Sequence, residues 1–150
     1  MKISWDQYFL NIAEVVSTRS NCCRRHVGAL LVSDNRIIST GYNGTPKGYT
    51  DCNDGGCPRC NNSGVKSGDG LEECLCVHAE ANAIIQAAYY GATVKGSTLY
   101  CTLEPCLSCS KLIINSGIKK IVYRESYPNN SSKAKDLLEN CGVEICHQIL

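Results

Sequence analysis

The chain has 150 residues, 43% of them hydrophobic, with 15 basic and 14 acidic side chains and a formal net charge of +1. This size suits one domain with its own core, and the balanced charge argues against a protein that grips a long nucleic-acid polymer by electrostatics. No run of 18 apolar residues is present and Met1 to Asp6 form no signal-peptide stretch, so a soluble, cytoplasmic chain with no membrane partner is expected.

Ser4 and Gln7 form a capping pattern ahead of Trp5, Phe9, Ile12 and Val16, which recur at helical spacing and predict a first helix of about fifteen residues. The apolar run 27–32 reads as a buried strand, Ser33-Asp34-Asn35 as a turn, and 36–41 as the returning hairpin strand. From Asn43 to Gly70 the chain is rich in Gly, Asn, Asp, Pro and Cys. A loop of that length is functional or is held by something, and the Cys-rich insertion occupies about 45–76. Residues 79–90, rich in Ala and Ile, predict a helix buried on most of its surface and ended by Gly91. A strand follows at 97–102, then a helix at 106–116 opened by Pro105 and closed by Gly117. The last elements are a strand at 120–123, a helical stripe of Ala134, Leu137, Leu138 and Cys141, and a strand at 143–146. Alternating helices and apolar strands indicate an α/β layered sheet in one domain, 1–150, without internal repeats.

Twelve cysteines could signal a disulfide scaffold, but the helical and strand patterns supply a core without covalent staples. Metal binding explains the thiols better. His78-Ala79-Glu80 and Pro105-Cys106-Leu107-Ser108-Cys109 offer one imidazole and two thiolates, each at a helix N-terminus where anionic ligands are favoured. Cys106 and Cys109 are expected in the first turn of one helix, with both sulfurs facing the same way. Three protein ligands leave tetrahedral zinc one position for water, and Glu80 stands where it can move protons. The H-x-E with P-C-x-x-C pattern is that of zinc deaminases of nucleobases, so hydrolytic deamination at C4 of a cytosine ring is the expected chemistry. The competing reading makes Cys106 and Cys109 half of a structural knuckle completed by Cys57-Pro58-Arg59-Cys60. A structural site, however, has no use for a Glu two residues beyond its histidine.

Four segments, 20–29 (SNCCRRHVGA), 39–46 (STGYNGTP), 78–84 (HAEANAI) and 116–123 (SGIKKIVY), resemble the deoxycytidylate (dCMP) deaminase family within the cytidine deaminase-like superfamily. The resemblance implies a three-layer α/β/α sandwich around a mixed five-stranded sheet. It also implies conversion of dCMP to dUMP by a homohexamer activated by dCTP and inhibited by dTTP with magnesium. Asn43 would bind the substrate sugar, the Ala79 N–H the pyrimidine O2, and Tyr127 the phosphate, with Arg24 and Arg25 as phosphate or effector candidates or an ordinary solvated pair. Tyr42, Asn43, Gly44 and Lys47 would meet the effector. A second, structural zinc is expected on Cys22, Cys52, Cys57 and Cys74, with Cys23, Cys60 and Cys76 as close competitors. Cys101, Cys141 and Cys146 are read as buried thiols. A tRNA adenosine deaminase, a nucleoside deaminase and a non-catalytic zinc module in nucleic-acid uptake remain the alternatives.

Overall fold

The structure, a computed structural model, describes residues 1–127 and 132–149. In chain order the regular elements are α1 (Trp5–Ser17), β1 (Gly28–Ser33), β2 (Arg36–Tyr42), α2 (Ala79–Tyr89), β3 (Thr98–Leu103), α3 (Leu107–Ser116), β4 (Lys120–Glu125), α4 (Lys133–Asn140) and β5 (Glu144–His147). The five strands form one sheet in the order β2-β1-β3-β4-β5. β1 is antiparallel to both β2 and β3, whereas β3, β4 and β5 run parallel. The mixed sheet therefore follows from one tight hairpin and three helical crossovers, through α2, α3 and α4. The hairpin turn places Asp34 and Asn35 both at left-handed φ, 53° and 57°, which these two side chains tolerate.

Alternation along the strands divides the core between the two faces. Leu30, Val32, Tyr100 and Val122 meet Phe9, Leu10 and Ala13 of α1. Ala29, Leu31, Leu99, Cys101, Ile121 and Tyr123 point the other way, onto Ala83 and Ala87 of α2, Ile113 of α3 and Leu138 of α4. The result is the expected three-layer sandwich, with α1 on one face and α2, α3 and α4 on the other. Two glycines set how closely the helices approach. A Cβ on Gly28 would lie 2.1 Å from the Ala13 carbonyl oxygen, and one on Gly41 would lie 2.3 Å from that of Ala79.

Ser4 caps α1 as expected, its hydroxyl accepting from the Gln7 N–H at 3.1 Å. Within α1, Trp5 is half exposed and stacks on Phe9, because the buried stripe lies one position further round. Three expectations need correction. α2 is buried on one side only; Ile85 and Tyr89 stand exposed, since among the described residues it is the side toward the sheet and α3 that finds partners. Cys106 is the N-cap of α3, in extended conformation, rather than a member of its first turn. Cys101 is buried, but Cys146 is half-buried and Cys141 is exposed at the end of α4. Among the described residues no helix is long and apolar enough to cross a membrane.

Candidate metal and catalytic site

Everything that forms the site converges on one end of the sheet. The parallel strands β3 and β4 end there, and the antiparallel β1 begins there against β3. The carboxyl ends of parallel strands are where α/β sheets place ligands. His78 and Cys106 are the N-caps of α2 and α3, both in extended conformation. Packing α2 and α3 on the same face brings the two caps together. The Nδ1 atom of His78 is 3.4 Å from the sulfur of Cys106 and 3.4 Å from that of Cys109. With Zn–N near 2.0–2.1 Å and Zn–S near 2.3 Å, a tetrahedral ion requires an N···S edge of about 3.5 Å. The three donors therefore fit a zinc ion in both chemistry and spacing.

The electrostatics suit the same group. The Cys106 thiol is lowered to about 4, first by the hydrogen bond from Cys109 and then by His78, against the cost of burial; Cys109 is raised in exchange. The His78 imidazole is raised, chiefly by its contact with the Cys106 sulfur. Glu80, in the first turn of α2, is only 5% exposed, and burial raises its carboxyl above the ordinary range. A buried carboxyl beside three metal donors, raised by desolvation, suits a group that must both accept and release a proton.

A cavity of about 390 Å³ opens over this group and includes His78, Glu80 and Cys106 in its wall. That volume suits a small molecule. Ala79 also lines it, as the first residue of α2. Asn43 lines the cavity as a buried hub: its side-chain oxygen accepts from the Val27 N–H at 2.9 Å and the Ser20 hydroxyl at 2.6 Å, and its NH₂ donates to the Arg25 carbonyl at 2.8 Å. Tyr127 and Arg25 form the opposite rim. The Arg25 guanidinium lies 5.9 Å from the Tyr127 ring centre and pairs with Glu125 at 3.2 Å.

Arg24 also reaches the cavity, but its guanidinium donates to the carbonyls of Cys60, Asn62 and Val65. It anchors the Cys-rich insertion, and its neighbour Arg25 is the arginine on the rim. Of the residues expected at an effector, only Asn43 lines the cavity. Tyr42 is exposed at the end of β2, Gly44 pairs with Val77 in a short antiparallel bridge, and Lys47 lies over the Tyr89 ring.

The structure adds residues the sequence reading did not single out for a role. Arg59, 9% exposed, and Leu71 bring the insertion into the cavity wall. Buried Glu104 accepts the Tyr127 backbone N–H at 3.2 Å and so fixes that rim. The signal for Arg59 is its place inside Cys57-Pro58-Arg59-Cys60, between two thiols of a CxxC pair. The four-cysteine set expected to hold a second metal needs correction, because its members divide. Cys22 and Cys52 group with Cys60 and Cys76, whereas Cys57 and Cys74 group with the same Cys60 and Cys76. The cause is the fold of the insertion, which carries the Cys57 and Cys74 loops past a central pair.

Residues 3–125 match the cytidine and deoxycytidylate deaminase zinc-binding region. The chain belongs to this family. Relatives of this deaminase-family chain include the deoxycytidylate deaminase of Schizosaccharomyces pombe, 49% identical over 95% of this chain and 43% of the yeast protein. They also include the ComE operon protein 2 of Bacillus subtilis, 38% identical over 96% of this chain and 71% of that protein. The chain thus spans less than half the length of the fission-yeast relative. Among solved structures, the dCMP deaminase of the cyanophage S-TIM5 in complex with dCMP and dUMP superposes with a TM-score of 0.79 at 34% identity. That match covers 100% of this chain and 99% of the phage chain.

Proposed function

We propose that this chain catalyses the hydrolytic, zinc-dependent deamination of dCMP to dUMP and ammonia. The observation that carries the reading is the convergence of His78, Cys106 and Cys109 at zinc spacing, with buried Glu80 beside them, and with His78, Glu80 and Cys106 in the wall of a cavity of small-molecule size. Bound there, zinc supplies a Lewis acid that acidifies a water molecule. Glu80 takes the proton from the attacking water and passes it to ring N3 so that C4 accepts the nucleophile; it then moves the remaining proton from the new C4 hydroxyl to the amino group, which leaves as ammonia while C4 becomes a carbonyl. The Ala79 N–H, in the open first turn of α2, is the donor for the pyrimidine O2. Asn43 has a second amide N–H for the sugar, and Arg25 with Tyr127 receives the phosphate at the rim.

The finer reading adds a structural metal in the insertion, assembly as a homohexamer, activation by dCTP and inhibition by dTTP with magnesium. The effector would lie along Tyr42, Asn43, Gly44 and Lys47. Support comes from the resemblance of those segments to the family's pattern. Steady-state ammonia release from dCMP, deoxycytidine and dCTP, with and without dCTP and dTTP as effectors, is the test. Turnover is expected with dCMP and to be far weaker with deoxycytidine. Equal rates on the nucleoside would overturn the phosphate assignment, and absence of turnover on all three would overturn the enzyme reading.

A further inference from the structure

We propose that the insertion holds two thiophilic divalent ions of the zinc class in a single six-thiolate cluster. Cys22 and Cys52 are terminal ligands of one ion, Cys57 and Cys74 of the other, and Cys60 and Cys76 bridge both. In each of the two four-cysteine groups every sulfur lies within 4.8 Å of the others, and Cys60 and Cys76 belong to both groups. Measured edges are 3.9 Å between Cys57 and Cys74 and 3.6 Å between Cys60 and Cys74. A tetrahedral ion with Zn–S bonds of about 2.3 Å requires edges of about 3.8 Å, whereas a disulfide requires about 2.05 Å between sulfurs. One ion in either group would leave two of the six sulfurs unligated, and two ions use all six.

The surroundings are those of thiolates. The Cys23 and Leu75 N–H groups donate to the sulfurs of Cys52 and Cys57 at 3.5 and 3.3 Å. Two doubly charged cations on six thiolates leave a net charge of about −2, and arginine supplies the complement. The Arg59 Nη1 atom lies 3.9 Å from the Cys60 sulfur, and no carboxylate pairs with that buried guanidinium among the described residues. Arg24 binds the Cys60 carbonyl. The insertion has no other core: its buried cluster consists of Cys22, Cys52, Cys57, Cys60 and Cys76 with Cys74 packed against them, and its regular structure is two single turns. Metal binding then supplies the free energy that apolar burial supplies elsewhere. Cys22, Cys60, Cys74 and Cys76 also line the catalytic cavity, and Cys76 lies two residues before His78, so the cluster forms a wall of the active site.

The proposal does not rest on the deaminase reading, and its test separates the two. Plasma mass spectrometry of the purified, dialysed protein is expected to give about three zinc ions per chain, one at His78 and two in the cluster. About two per chain would overturn it. After exchange with ¹¹³Cd, two resonances in the all-thiolate region, coupled to each other through the shared sulfurs, are expected. A single such resonance, or two without coupling, would overturn it. The double variant Cys57→Ser/Cys74→Ser is expected to lose about one ion per chain and keep one all-thiolate resonance from the remaining tetrahedron. Unchanged metal content would overturn the assignment of terminal ligands, and the wild-type measurements decide the matter even if this variant does not fold.

Discussion

Glu80 shows what burial does to a single side chain. Its carboxyl sits in the wall of the cavity, raised by desolvation and partly restored by the charge of His78. Glu80→Gln keeps the shape and removes the titrating proton, so ammonia release is expected to fall by about 10²–10⁴-fold with zinc content unchanged. A residual rate near wild type would show that another group moves the protons. The same residue has a stability signature once the catalytic zinc is removed. Because the folded carboxyl titrates above its ordinary 4.5, its contribution to stability is complete below that value and is lost as pH rises through the folded value. The Tm of zinc-depleted Glu80→Gln should therefore gain on zinc-depleted wild type as pH rises from 4.5 through the folded value. Asn43 carries a different weight. Asn43→Ala strands the Val27 N–H and the Arg25 carbonyl, while the Ser20 hydroxyl keeps only the backbone carbonyl of residue 43, and urea denaturation should show a loss of about 2–3 kcal/mol.

Among the elements, α2 connects sequence pattern most directly to the site. Its N-cap is His78, a candidate metal donor, and its first turn holds Glu80, so its height above the sheet fixes both. Gly41 sets that height, since a Cβ there would also lie 2.4 Å from the Ala83 N. Gly41→Ala is expected to cost about 1–3 kcal/mol by overpacking and to weaken zinc retention, measured by competition with a chromophoric chelator. Gly28→Ala, which presses instead on Ala13 and Ser17 of α1, should cost a similar amount while leaving zinc affinity near wild type. Equal zinc loss in both would mean that global loosening, not the height of α2, governs the site. The strands were legible because alternation and apolar runs are local. The exposed side of α2 was not, because Ala and Ile look alike on a packed and on an unpartnered face, and nothing local tells Ile85 which way a neighbour lies.

Seen whole, the molecule is a sandwich with a thiol-rich appendage closing its active end. The appendage is tied down by Arg24 to three of its carbonyls and by Arg59 to those of Lys66 and Asp69. Stripping metal with a strong chelator is therefore expected to abolish turnover and to expose the segment between Asp51 and Cys74 to limited proteolysis before the sheet unfolds. Simultaneous cleavage everywhere would make metal a support of the whole fold. The hexamer reading belongs at this scale too, and light scattering should give about six times the 16.3 kDa chain mass.

The sequence alone marked the strands, the hairpin and the candidate metal triplet with its glutamate. Each depends on spacing within one or two elements: a dyad along a strand, or a donor at a helix start. Only the tertiary structure decided how six cysteines divide between two groups, that Arg24 faces the insertion and Arg25 the rim, and that Arg59 is buried against a sulfur. Those partners are brought together by a long irregular loop, where no periodicity constrains the path and the ligands themselves hold the chain in place.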